Sequence, residues 1–196
     1  AKINDATQRQ AYYENPVFPF GPPQMTEAQR LPNRLAKLGL APADVDLVFL
    51  GHLHFDHAGG LNEFAHAELH VHARELIAAH EPADVAYFTK DFVGDYHWRP
   101  TDDEYDLLPG VRAIESPGHT AGHMSLLIEL PKGAPILLCG DAADLKENLD
   151  EEVAPGLCWH DRDDLALASI RKLKKLADET RAELWPNHDL DFYRSR

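Results

Sequence analysis

Cysteine is scarce in this 196-residue chain, with only Cys139 and Cys158. One disulfide at most could form, which excludes a disulfide-stapled scaffold and makes a reducing, cytoplasmic compartment the expectation. Long apolar runs are missing as well. No stretch approaches the roughly 20 residues needed to cross a bilayer. The polar start AKINDATQRQ has no signal-peptide core. Basic charge is in short supply: 19 Lys and Arg stand against 33 Asp and Glu, a formal net charge of -14. A phosphate backbone is repelled by such an average. The densest basic cluster, Arg171, Lys172, Lys174 and Lys175, falls on an amphipathic helical pattern and reads as its solvated face. Nucleic acid and membrane are therefore set aside as partners, and a small molecule is expected; a homodimer is left open.

What is present is ordinary globular composition, 44% hydrophobic and 27% charged, at a length that suits a single domain over residues 1–196. Residues 1–25 read as irregular. Thr26-Glu27-Ala28-Gln29 has the form of a capping box, so a helix is expected there, broken by Pro32 and ended by Gly39, with Leu31, Leu35 and Leu38 on one face. Strands are expected over 46–50, 68–72, 111–115, 124–130, 136–140 and 182–185, and helices over 73–80 and from Asp161 onward. The aromatic stretch 82–106 reads as an irregular insertion or lid. Mixed elements of this kind indicate an α/β or α+β fold.

The unusual residues fall just after the expected strands. His52-Leu53-His54-Phe55-Asp56-His57 packs three imidazoles and a carboxylate into one loop, and His119, Asp141 and His188 each follow a later strand. Neutral imidazole and carboxylate suit zinc and similar ions. Asp141 is the natural bridge, because one carboxylate can offer an oxygen to each of two ions. Zinc is the expected metal, while manganese, iron or cobalt fit the same donors. Neither cysteine has a triad setting, so no covalent nucleophile is called for.

The series HLHFDH, then GHTAGH, then GD, then a late histidine resembles the ligand series of the metallo-β-lactamase superfamily. More narrowly, HLHFDHAGG, SPGHTAGHMSL and GDAADLKENLDEE look like the N-acyl-homoserine lactonases. The resemblance implies an αβ/βα sandwich of two sheets flanked by helices. It implies one metal on His52, His54 and His119, a second on Asp56, His57 and His188, and Asp141 between them. It further implies that a lactone ring, N-acyl-homoserine lactone in the first instance, opens by attack of a bridging hydroxide, with Asp56 moving a proton toward the leaving alkoxide. A thioesterase of the glyoxalase II type, or another hydrolase of the superfamily, is the alternative.

Two departures stand out. The lactonases usually carry a tyrosine three residues after the bridging aspartate, and here that residue is Asp144. Tyr96, Tyr105 and Tyr193 are candidate replacements, while Phe55, Trp159 and His160 are candidate pocket residues alongside Asp144. The fold also usually begins with several strands that this chain does not show, so an N-terminally incomplete first sheet is expected. His70 and His72 read as plain strand residues, Cys139 as a small buried hydrophobe, and His123 as a candidate partner of a ligand.

Overall fold

Apolar residues at alternate positions of Glu68–His72 bury Leu69 and Val71 completely, and this strand becomes the centre of a small sheet. The computed structural model describes residues 25–81 and 84–196, so the reading of residues 1–24 lies outside the described residues. The first sheet contains β1 (Leu47–Phe49), β2 (Glu68–His72) and β3 (His97–Thr101), all parallel. The second contains β4 (Tyr105–Leu108), β5 (Val111–Glu115), β6 (Met124–Ile128), β7 (Ile136–Gly140) and β8 (Glu183–Pro186), in that order. It is antiparallel except for the β7–β8 pair. Helices flank these two sheets, as the resemblance implies.

Each sheet has its own apolar core. Leu50, Leu53, Leu61, Phe64, Leu69 and Val71 form the first. Ile114, Leu127, Leu137, Ile170 and Leu173 lead the second, where the long helix Asp163–Thr180 packs. Its buried residues Ala166, Ile170, Leu173 and Ala177 recur every three or four positions. A fully buried leucine such as Leu173 contributes about 2 kcal/mol by removal from water. The basic residues of this helix are solvated and paired with acids, Arg171 and Lys174 both reaching Glu152.

Three expectations are corrected. The stretch 82–106 is not an irregular insertion. It holds a short helix, Thr89–Phe92, the edge strand β3 and the start of β4. The strand was obscured because its residues are mostly exposed and include Pro100, which a sheet accepts at an edge. The segment after Thr26 is not one continuous helix. A 3-10 turn, Glu27–Gln29, gives way to a new helix, Leu31–Ala36, with Pro32 in its first turn. Only Leu35 of its three leucines packs on the core, and Leu38 is 75% exposed. The long helix does not start at Asp161, because that residue sits in the 3-10 turn Trp159–Asp161 and Arg162 takes the cap position.

Topology collects the loops that matter. The chain leaves β1 into residues 51–57, leaves β5 into 116–123, leaves β7 at Asp141 and leaves β8 at His188. In the second sheet β5, β7 and β8 run in one direction, so their carboxyl ends share one edge. The backbone bond from Met124 N–H to the Gly51 carbonyl, 2.9 Å, ties the first sheet's loop to that edge.

Candidate metal centre

Seven side chains converge at that edge in two groups. Ligand atoms of His52, His54 and His119 lie within 4.8 Å of one another, and so do those of Asp56, His57, Asp141 and His188. The first group is buried. The second opens to solvent through Asp56 and His188.

Asp141 stands between the groups. Its Oδ2 is 3.7 Å from His52 Nε2 and 3.6 Å from His119 Nε2 in the first. The same oxygen is 3.1 Å from His188 Nε2 in the second, while Oδ1 is 3.3 Å from His57 Nε2. Gly140, at a positive φ of 56°, makes the turn into it. A side chain on Gly140 would sit 2.6 Å from His123 Nε2. That clearance lets His123 Nε2 accept from the Asp141 N–H at 3.0 Å, while its Nδ1–H donates to the Ser116 carbonyl at 3.1 Å. His123 is thus a backbone anchor for Asp141. Asn187 Nδ2 donates to Asp141 Oδ1 at 2.7 Å.

Outer partners fix the ring faces in the buried group. His119 Nδ1–H donates to the Leu157 carbonyl at 2.9 Å, and His54 Nε2–H donates to Asp84 Oδ2 at 3.1 Å. This leaves His119 Nε2 and His54 Nδ1 pointing at each other across 3.0 Å. On neutral rings both atoms carry lone pairs, so the contact is repulsive unless a proton or a cation lies between them. A proton is disfavoured on His119, because burial and the neighbouring His54 lower it to about 4. His52 is also held well below its ordinary value, by burial and then by His57. Both ring nitrogens of His52 are buried without a hydrogen-bond partner. Buried polar atoms without partners are rare. Neutral imidazoles with inward lone pairs, set around a shared carboxylate, are the donor set a divalent cation accepts.

The second group has the opposite protonation. The hydrogen bond to Asp141 raises His188 to about 9. Burial works against ionised Asp141, yet the bonds from His188 and His57 outweigh it and hold that carboxyl far below the usual range.

Beside the two groups lies a cavity of about 830 Å³, lined among others by Phe55, Tyr87, Asp144, Leu157 and Trp159. Phe55 stacks on Phe88 with centroids 5.1 Å apart. Burial, and then Asp141, push the Asp144 carboxyl up to about 6. The candidate replacements for the absent tyrosine are engaged elsewhere. Tyr96 donates to the Asp91 carbonyl, Tyr193 to the Pro186 carbonyl, and Tyr105 bonds His70. Tyr87 lines the cavity, but its hydroxyl is given to Glu75. Among the described residues no tyrosine hydroxyl is free at this site.

Sequence reasoning missed Asp84, Asn187 and the Leu157 carbonyl. Asn187 adjoins His188 and could have been marked by that neighbourhood, whereas nothing in the sequence around Asp84 signals its role. His72 is corrected in one respect: beyond being a strand residue, its Nδ1 accepts from the Arg74 N–H and caps the helix Ala73–Ala78.

Residues 20–188 match the sequence pattern of the metallo-beta-lactamase superfamily. An N-acyl homoserine lactonase of Bacillus sp is 36% identical over 169 residues, covering 86% of this chain and 66% of that protein. The N-acyl homoserine lactonase AttM of Azorhizobium caulinodans is 36% identical over 183 residues, covering 88% and 69%. A solved N-acyl homoserine lactone hydrolase, with the product N-hexanoyl-L-homoserine bound at its catalytic metal center, superposes with a TM-score of 0.84. It is 31% identical over 97% of this chain and 74% of its own. The chain spans just under two thirds, 66%, of the length of the Bacillus relatives. With the pattern matched from residue 20 to residue 188 and two sheets delivering the histidines and aspartates to one edge, the chain belongs to the metallo-beta-lactamase superfamily.

Proposed function

We propose that this chain is a dinuclear metal-dependent hydrolase that opens lactone rings, with N-acyl homoserine lactones as its substrates. The observation that carries the metal-site part is the facing pair His119 Nε2 and His54 Nδ1, 3.0 Å apart, with the orphaned His52 nitrogens beside it. The names of the relatives support the lactone. His52, His54 and His119 would hold one cation, Asp56, His57 and His188 the other, and Asp141 both. When bound, such a pair supplies Lewis acidity at the ester carbonyl and an acidified water as nucleophile.

The rest is done by the chain's own residues. Asp56 lies 3.7 Å from His188 and 3.6 Å from His57, and 38% of its side chain is exposed, so its carboxylate can pass a proton to a leaving alkoxide. Phe55, Leu157 and Trp159 give the cavity an apolar wall suited to an acyl chain. Asp144 is a poor substitute for a phenol. At about 6 it is mostly ionised at neutral pH, and nearby cations would lower it further. A cytoplasmic location belongs to the same reading, supported by two unpaired cysteines. Among the described residues no helix is long and apolar enough to cross a membrane.

The test is hydrolysis of N-acyl homoserine lactones followed with a pH indicator, alongside elemental analysis. About two divalent cations per chain and acid release that Asp56→Asn abolishes are expected. Turnover of thioesters with none of lactones would overturn the substrate, and a chain that binds no divalent cation would overturn the site.

A further inference from the structure

Behind the buried group lies a carboxylate that no part of the proposed chemistry uses. Glu75, in the first turn of the helix Ala73–Ala78, is 0% exposed. Among the described residues no Lys or Arg bonds it. Its four hydrogen bonds come instead from three separate pieces of chain. Oε1 accepts from the Leu53 N–H at 3.0 Å and the Tyr87 hydroxyl at 2.8 Å. Oε2 accepts from the Thr120 hydroxyl at 2.7 Å and the Gly122 N–H at 3.1 Å.

The donors stand in telling places. Leu53 lies between His52 and His54. Thr120 adjoins His119, and Gly122 adjoins His123. Tyr87 packs against the His54 ring with centroids 4.6 Å apart. The approach is close by construction, because a Cβ on Gly122 would fall 2.3 Å from the Glu75 backbone nitrogen. A buried carboxylate is costly to desolvate and is retained when all its lone pairs are used. An apolar side chain could fill this volume, but it could not fix the distance between two loops.

We infer that Glu75 is the positioning residue that sets His119 against His52 and His54, one carboxylate pinning both ligand loops to a single helix. This rests on the metal-site reading above. The acceptor must be a carboxylate. In Glu75→Gln the amide nitrogen faces either the Leu53 N–H or the Gly122 N–H, so each orientation opposes donor to donor. Glutamine keeps the volume and loses the register of one loop. The effect falls first on the three-histidine group, because Leu53 and Thr120 adjoin its ligands directly, whereas Asp141 is reached only through His123, the neighbour of Gly122, and His188 adjoins none of the four donors.

The experiment measures zinc affinity by chelator competition on metal-free protein in two backgrounds. His188→Ala leaves the three-histidine group, and His54→Ala leaves the other. Glu75→Gln should weaken zinc about 10–100-fold in the first, the cost of losing an outer partner of metal ligands. In the second it should change affinity less than about threefold. Circular dichroism confirms folding. Should Glu75→Gln not fold, Thr120→Val removes one of the four bonds and should weaken zinc in the first background, while Thr120→Ser should restore it. Equal effects in both backgrounds, or none in the first, overturn the inference and leave the metal site standing. A wild-type chain that binds no zinc overturns the metal-site reading and the inference with it.

Discussion

The two halves of the site are built on opposite principles. His52, His54 and His119 are buried, and burial lowers both His52 and His119. Their outer nitrogens have fixed partners at Asp84 and the Leu157 carbonyl. Asp56, His57, Asp141 and His188 form the open half, where the hydrogen bond that His188 donates to Asp141 raises it. One half is a rigid, neutral socket that waits with its lone pairs inward. The other is an acidic mouth, open to solvent through Asp56 and His188, that stores protons until something displaces them. Preorganisation and exchange have been assigned to different walls, and Asp141 is the single carboxylate common to both.

The largest test of that contrast is to remove the shared group. Asp141→Asn should strip both halves, leaving fewer than one cation per chain and lowering hydrolysis by more than about 100-fold, beyond what loss of an outer partner costs. His188→Ala should cost only the open half, with about one cation retained. Elemental analysis after gel filtration separates the two outcomes. If both variants lose the same number of cations, the halves are not independent and the comparison breaks.

A smaller effect probes the socket alone. Asp84→Asn removes the charged acceptor that orients His54. Zinc affinity of the buried half should fall about 10-fold, the lower end for such partners, with the open half unchanged. Chelator competition in the His188→Ala background reads it directly.

Protonation then separates the halves by pH. A metal ligand must give up its proton, and His188 keeps one up to about 9. The affinity of the open half should therefore rise about tenfold per pH unit from 6 toward 9. His57 steepens this, since burial lowers it but the bond to Asp141 and the charges of Asp141 and Asp56 together raise it. The buried half should respond less over the same range, because burial holds His52 and His119 below the ordinary histidine value, His119 down to about 4. Isotherms at pH 6, 7 and 8 measure both slopes, and parallel slopes would end the distinction.

The contrast was only half legible in the sequence. The residue types and their places after β1, β5, β7 and β8 could be read directly, because HLHFDH packs four donors into one turn and the strands before it are apolar. Strands 68–72, 111–115 and 136–140 came out with their observed bounds for the same reason: their alternation is set by burial on one face. What could not be read was anything fixed by tertiary approach. Asp84 lies in a loop with no pattern, Glu75 looks like any helical glutamate, and β3 is polar because it is an edge. Which half would be buried also follows from packing rather than composition, since both halves contain histidine.

The acidity of the open half extends past its ligands, and Cys158 reports on it. This thiol lines the cavity. Burial, then a hydrogen bond with Asp163 and the charges of Asp163, Asp144 and Asp161, push it up to about 12. Against an ordinary thiol near 8.5, the thiolate fraction at pH 8 is reduced on the order of a thousandfold, and alkylation should slow accordingly. Iodoacetamide at pH 8 should therefore leave Cys158 unmodified in the metal-free protein, and mass spectrometry of the peptide shows it. Cys139 should be equally inert, but burial alone accounts for most of its rise to about 12. The two cysteines then part on a single change. Cations in the open half offset the carboxylates around Cys158 and should speed its alkylation severalfold, whereas Cys139, sealed in the second core, should not respond. If loading the metal leaves both thiols alike, the acidic mouth does not reach the cavity wall, and its field ends at the ligands themselves.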